Sequence, residues 1–292
     1  MGAASFSSGT STIAKGNSSA SFNFNNKALG DNSAAFGHTT TASGYASFSS
    51  GHKTIASGNY SAVFGLESTA ESDYAVAFGF KNHSTGQRSF STGNSNTVSG
   101  INSFATGANS SVSGNNSFSS GNENNISGTA AAAFGESNST QGNRSFIQGL
   151  SNNLNSSSTE SFCGGYSNTL NNSRQSYVFG VSNEINSDKY VGTGNIILGG
   201  NNKIINNATA SGYNIALGCE NEILEATWYA VALGRKNILT KRNSMAFGES
   251  NTVSGQSAVA IGTTNTVSAN MGFASGNGNT VSGDYYSVAF GQ

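Results

Sequence analysis

Nearly every seventh residue from 3 to 149 is preceded, two places back, by a small or apolar residue with polar neighbours, and that seventh residue is glycine except at Asn23 and Ser72. Twenty-one such units follow one another without an insertion and alternate between two types, so the period is fourteen. Type A reads Asn-Ser-Phe-Ala-Thr-Gly at 102–107, Asn-Ser-Phe-Ser-Ser-Gly at 116–121 and Ser-Ala-Val-Ala-Ile-Gly at 257–262. Type B reads Asn-Thr-Val-Ser-Gly at 96–100, 251–255 and 279–283. Self-similarity of this kind marks a solenoid, whose repeats bury their apolar sides by stacking on their neighbours.

Seven residues are too few for a helix, and the alternation within a unit is that of a strand. With glycine numbered seven, B units carry at position five Ala14, Ala28, Ala42, Ala56 and Ala70, then Val98, Val112, Ile126, Leu154, Leu170, Ile185, Ile204, Ile223 and Leu239, and finally Val253, Val267 and Val281. Positions four and six of B are mostly polar, so B turns one side inward and one to water. A units are small or apolar at five as well (Ala35, Ala77, Ala105, Ile147, Ile197), but they add a bulky residue on the other face. Phe6, Phe48, Phe90, Phe104, Phe118, Phe146 and Phe162 take position four, while Phe22, Phe36, Phe64, Phe78, Phe134, Phe179, Phe247 and Phe290 take position six. Where one of the two is Phe the other is usually small. A lone chain would therefore expose a continuous apolar stripe larger than soluble monomers show.

The expected fold is all-β: a parallel two-sheet roll of fourteen-residue, two-strand coils, roughly 20 coils and on the order of 95 Å long. Its A face is expected to be hidden against copies of itself around a cyclic axis. Glycine is expected to supply turns with φ > 0 or close backbone approach, Asn at positions three or one to form ladders, and the absence of proline suits strands that donate and accept on both sides.

Composition then narrows the classes. Abundant Gly, Asn and Ser with 9% charged residues resembles a disordered chain, yet disorder gives no reason to keep the phase of the repeat. A net charge of −1 and a pI near 6.3 offer no electrostatic case for nucleic acid or anionic membrane. There is no apolar run long enough to span a bilayer and no signal peptide, so no direct membrane insertion is expected of this segment. The repeat is already running at residue 3 and reaches Gly291 without a polar cap, which leads to the expectation of a piece of a longer exported chain. One continuous domain is expected, with regular coils over 1–149, coils with edge insertions and a wider core over 150–241, and regular coils again over 242–292.

With the paired units on the page, the chain resembles the YadA-like head of trimeric autotransporter adhesins, through Gln256–Gly262 and Asn243–Gly248 on the A side and Thr40–Gly44 and Thr54–Gly58 on the B side. The resemblance covers nearly the whole sequence. It implies a left-handed parallel β-roll, a side-by-side homotrimer whose A strands line the axis, and an extracellular place on a bacterial surface, anchored in the outer membrane by segments absent here. It also implies an adhesive function toward a host cell-surface receptor or matrix protein, such as collagen, fibronectin, laminin or a carcinoembryonic-antigen-related adhesion molecule. The chain departs from the family in its Phe-rich A strands, its frequent Asn, and the lack of a neck, stalk or membrane barrel. Similar rolls occur in phage tail fibres, so a spacer or virion fibre is the alternative.

The axis residues on this reading are Phe6, Phe36, Phe48, Phe64, Phe78, Phe90, Phe104, Phe118, Phe134, Phe146, Phe162, Phe179, Phe247 and Phe290. After residue 149 extra residues appear near Ser157-Ser158, Ser173, Asp188–Gly192, Asn207–Ser211, Ala226-Thr227 and Asp284, nearly all in the turn from a B unit to the next A unit. Such stacked loops often bind, and Lys189, Tyr190, Val191, Thr209, Tyr213, Trp228 and Tyr229 are the candidate ligand contacts, aromatic and basic residues being favoured at adhesive hot spots. The plain alternative is that these insertions are tolerated drift on a surface edge. Basic residues gather in the same stretch: Arg174, Lys203, Arg235, Lys236, Lys241 and Arg242.

Other chemistry is sparse. His38 and His52 lie one period apart, with His83 further on, but without clustered carboxylates or thiols they make a poor metal site. Cys163 is expected to point into the roll and Cys219 to lie four coils, roughly 19 Å, away, too far for a disulfide. Gly192-Thr193-Gly194 precedes no helix and fails the context test for a nucleotide loop. No enzyme, cofactor or metal is expected. A remote alternative is an ice-binding face from Thr97, Thr252, Thr266 and Thr280, a file interrupted by Lys27, His83, Glu184, Lys203 and Glu222.

Overall fold

The computed structural model describes residues 1–187, 192–206, 211–224 and 228–291, and every regular element in them is a β-strand. They form two compact units, Met1–Ser137 and Asn138–Gln292. Both are parallel β-solenoids. In the first unit each coil holds a five-residue A strand, such as Phe104–Ala108, and a two-residue B strand, such as Thr97–Val98. Each pairs with its equivalent fourteen residues on, Phe104 with Phe118 and Thr97 with Ser111. The A strand runs one residue past its glycine, into the first position of the next unit.

The core is a single file per strand. Position five is buried in every described coil but the terminal ones, as at Ala28, Ala56, Val98 and Ile126 on the B side and Ala35, Ala77 and Ala105 on the A side, with Ser7 and Ala289 half-buried. Serine at that place can be satisfied inside the roll, as where Ser84 Oγ donates to the Val76 carbonyl at 2.6 Å and lies 2.7 Å from Ser91 Oγ, whereas Ser119 Oγ is buried without a partner. Most of the largest fully buried side chains lie in the second unit, at Ile147, Leu154, Leu170, Ile185, Ile197, Ile204, Ile223 and Leu239.

Turns divide into three chemistries. Position two of each unit takes φ near +55°, as at Ser18 (53°), Asn32 (58°) and Lys53 (53°), a role that the sequence reading left to glycine. A-unit glycines hold φ in a region closed to other residues, +109° at Gly107. B-unit glycines, Gly283 at +127° apart, do not: Gly100 is needed because a Cβ there would overlap the carbonyl oxygen of Gly114. The two exceptions each place a Cβ where glycine otherwise stands. Asn23, on an A unit, takes φ of 94°, and Ser72, on a B unit, turns its hydroxyl onto the Thr85 carbonyl at 2.5 Å.

Buried polar ladders at position three tie coil to coil. In the first unit Asn96 Oδ1 accepts the Ser110 amide at 3.0 Å, while its Nδ2 donates to the Thr92 and Gly107 carbonyls, both at 2.9 Å. In the second unit Asn138, Asn152, Asn168, Asn183, Asn202, Asn221, Asn237, Asn251, Asn265 and Asn279 continue the pattern, each Oδ1 accepting from the next Asn. Asparagine suits the place because one side chain offers an acceptor to the next amide and two donors to strand carbonyls. Position-one ladders also form, as where Asn59 Oδ1 accepts the Tyr45 amide at 2.9 Å.

In the second unit the extra residues fall between B and A strands, as the register shows: Tyr177 pairs with Ile196 and Ile196 with Ile215, nineteen residues apart. The B strands lengthen to Glu184–Ser187 and Lys203–Asn206, and a third short ladder forms from Ser173–Arg174, Gly192–Thr193 and Ser211–Gly212. Insertion thus gives these coils a third side.

Candidate functional site

The outer face of the A strands presents one bulky group per coil in the first unit. Phe6, Phe22, Phe36, Phe48, Phe64, Phe78, Phe90, Phe104, Phe118 and Phe134 form a single file with successive ring centroids 4.9–5.6 Å apart. The file survives each switch between positions four and six. Phe36 at six and Phe48 at four still lie 5.6 Å apart, and Phe78 and Phe90 lie 5.5 Å apart, so the rings lean into one shared groove.

That sharing explains why the partner position stays small. In the second unit, a Cβ on Gly164 would come 2.8 Å from Phe179 Cδ2 and 3.1 Å from Phe162 Cε1. Phe146, Phe162 and Tyr177 stack there at 5.4 and 4.5 Å. Further on the file becomes aliphatic and two residues wide, with Ile196 and Leu198 exposed, then Ile215 with Leu217, Val231 with Leu233 and Met245 with Phe247.

None of the fourteen axis candidates is buried by its own chain. Phe6, Phe64, Phe179 and Phe290 are exposed, at 58%, 41%, 51% and 74%, and the other ten are half-buried by their neighbours in the file. Covering the ten half-open rings of the first unit removes roughly 700 Å² of apolar surface per chain. That is close to the roughly 800 Å² each partner contributes to a stable interface. At about 25 cal/mol per Å² the gross gain is on the order of 18 kcal/mol per chain.

A second file stands at the eighth place, one past the A glycine, where the sequence reading placed no site. Phe24 and His38 stack at 4.7 Å, His38 and His52 at 4.8 Å, and Leu66 and Phe80 follow, with Lys81 Nζ 4.9 Å from the Phe80 ring centroid. The predicted proximity of the two histidines is present, and among the described residues no group of three or more His, Cys, Asp or Glu is placed to hold a metal ion. The signal was available in the sequence: these residues recur every fourteen, but they belong to A strands although they open B units.

Of the loop candidates, Tyr213, Trp228 and Tyr229 come together. Tyr213 and Tyr229 stack at 5.6 Å, Trp228 meets Tyr229 edge-on at 6.2 Å, and the three are 53%, 40% and 52% exposed. Lys189, Tyr190, Val191 and Thr209 lie outside the described residues. The turn before the A strand also carries Arg144, whose guanidinium donates to Glu160. That bond and one from Gln175 hold the Glu160 carboxyl below the usual carboxylate range. Cys163 is buried and Cys219 exposed, both as free thiols, and burial pushes the Cys163 thiol up to about 12.

The repeat itself matches a known family. Residues 28–54, 56–82, 84–110 and 99–124 in the first unit, and 240–265 in the second, match the model of the YadA head domain repeat. The chain carries YadA head repeats. No curated protein matches the chain significantly. The matched YadA head segments lie in coils of unbroken fourteen-residue period, and the coils with extra residues, 150–239, lie outside them. The solenoid described above, with parallel pairing at a step of fourteen and no helix among the described residues, is consistent with a YadA-like head. Among those residues no helix is long and apolar enough to cross a membrane.

Proposed function

We propose that this chain is the adhesive head of a trimeric surface adhesin. In this reading three copies pack the outer faces of their A strands around a common axis as left-handed rolls. The edge loops before the A strands then contact a host cell-surface receptor or extracellular matrix protein. The observation that carries the reading is the unbroken file of open rings on chains built of YadA head repeats. A soluble chain does not leave roughly 700 Å² of contiguous apolar surface in water without a partner, and a closed cyclic assembly of identical copies covers all of it with one contact.

In the same reading the head stands outside the cell on a bacterial surface, as the YadA head repeat suggests. Its ligand contacts would be Lys189, Tyr190, Val191, Thr209, Tyr213, Trp228 and Tyr229. The test is binding of the purified chain to cultured cells and to surfaces coated with matrix proteins, beside a variant lacking Asp188–Gly192. The expected result is saturable binding by the intact chain and weaker binding by the deletion at unchanged mass. An assembly that bound no cell-surface or matrix component would overturn the adhesive reading. Full binding by the deletion would move the contact away from these loops.

A further inference from the structure

Position two of every unit demands φ near +55°, which Asn tolerates and a bulky side chain resists. Before a B strand it holds short or charged residues, such as Asn25, Lys53, Glu67 and Lys81. Before an A strand it holds Asn at Asn32, Asn102 and Asn116 but tyrosine at Tyr60, Tyr74, Tyr213, Tyr229 and Tyr286. The backbone demand is the same on both edges, so the tyrosines answer to something other than the fold. Packing against neighbouring rings covers only about half of each, Tyr60 and Tyr74 being 49% and 50% exposed. An exposed aromatic held in an unfavourable backbone region is the kind of residue that binding selects.

In the first unit Tyr45 joins them from position one. Tyr45 and Tyr60 meet edge-on at 5.4 Å, and Tyr60 and Tyr74 stack at 5.1 Å. Charge within the trio's own coils is acidic. From Leu29 to Tyr74, positions one and two of A units and six of B units carry Asp31, Glu71 and Asp73 and no Lys or Arg, a charge of −3 from three carboxylates, flanked by Lys15 one coil before Leu29 and by Arg88 one coil past Tyr74, whose guanidinium donates onward to Asn102 Oδ1 at 3.4 Å. Two of them are fixed by the coil, Asp31 Oδ1 accepting the Asn17 amide at 2.7 Å and Asp73 Oδ1 the Asn59 amide at 3.0 Å. On the opposite edge the corresponding acid is neutralised within the chain, Glu67 lying 3.4 Å from Lys53 Nζ and 3.8 Å from Lys81 Nζ.

We propose that the edge formed by Tyr45, Tyr60 and Tyr74 with Asp31, Glu71 and Asp73 docks a basic, arginine-bearing segment of a partner protein. A guanidinium is flat, lies against tyrosine rings and pairs with carboxylates, so one side chain uses both features of the edge. The inference deepens the adhesive reading by giving the first unit its own contact, chemically unlike the edge near Arg174, Lys241 and Arg242.

The test is fluorescence anisotropy with labelled peptides of alternating glycine and arginine, glycine and lysine, or glycine and glutamate, at physiological salt. The key variant is Tyr60→Asn with Tyr74→Asn, because asparagine is what the backbone prefers there and folding is kept. Asp73→Asn retains the acceptor for the Asn59 amide and removes only charge. The arginine peptide is expected to bind saturably and at least about 3-fold tighter than the lysine peptide, with a loss of about 10-fold in the double variant and about 3-fold in Asp73→Asn. Equal binding by wild type and double variant, equal binding of the glutamate peptide, or binding of neutral oligosaccharides in its place would overturn the proposal. A double variant that no longer self-associates would do so too, by making the patch a contact between copies. Loss of peptide binding in a wild-type chain that keeps its assembled mass sinks this proposal and leaves the adhesive reading standing.

Discussion

Replacing Asn251 by alanine tests whether the buried ladder holds the second unit together. Asn251 is fully buried. Its Nδ2 donates to Asn237 Oδ1 at 3.0 Å, to the Gly262 carbonyl at 2.8 Å and, at the long distance of 3.5 Å, to the Phe247 carbonyl, and its Oδ1 accepts from the Asn265 amide at 3.1 Å and from Asn265 Nδ2 at 3.0 Å. Alanine removes all five bonds. Asn237 Oδ1 keeps the Asn251 amide at 3.2 Å, and Asn265 Nδ2 keeps the Ile261 and Gly276 carbonyls. The buried Asn265 amide and the part-buried Gly262 carbonyl lose these bonds. At about 1–3 kcal/mol each the cost is about 4 kcal/mol, a large part of the roughly 5–15 kcal/mol that holds an ordinary domain. Because each coil of a solenoid rests on its neighbours, the loss should appear as a lower urea midpoint by circular dichroism and as faster hydrogen exchange at the Asn265 amide. The exposed Asn94→Ala should stay within about 0.5 kcal/mol of wild type. An Asn251→Ala midpoint as close to wild type as that control would show that the ladder is incidental.

Other consequences follow from the same coordinates. Phe104→Asp with Phe118→Asp puts two charges per chain into the ring file, and sedimentation should show dissociation to single chains, because an unpaired charge in a covered apolar interface costs several kcal/mol; an assembly that survives would refute the A-face contact. In the native state one thiol per chain should react with a thiol reagent at pH 8, Cys219, and two after denaturation, because burial keeps Cys163 protonated until about pH 12. Two native thiols reacting at the same rate would contradict that placement. Thr140 Oγ1 is buried without a hydrogen-bond partner, so Thr140→Val should leave stability unchanged or raise it by about 1 kcal/mol in thermal melts, and a clear loss would mean that the hydroxyl is used.

Much of the fold was legible because the repeat constrains it fourteen residues at a time. Position five being small or apolar, as at Ala105 and Val98, was enough to name the core, and Phe at four or six was enough to name the outer face. The insertions were legible as well, since the frame itself is the ruler against which extra residues show. Less legible were the features that cross the frame. His38, Leu66 and Phe80 open B units in the sequence but close A strands in space, so a unit-by-unit reading missed their file. The tyrosines at 60 and 74 carried no apolar signal, because what distinguishes them is a backbone dihedral that the repeat imposes and the sequence does not display. Glycine was read as one residue with two uses, whereas the coil assigns one use to each edge, an angle at Gly107 and a close approach at Gly100.

The proposed head rests on packing of A strands between copies, and the mass of the intact chain in solution tests that packing most directly. Light scattering at low micromolar concentration should give three times 29.7 kDa, with the first unit's ring file covered. A mass of 29.7 kDa at that concentration would contradict the account, since the open rings from Phe6 to Phe134 would then stand in water with nothing to cover them.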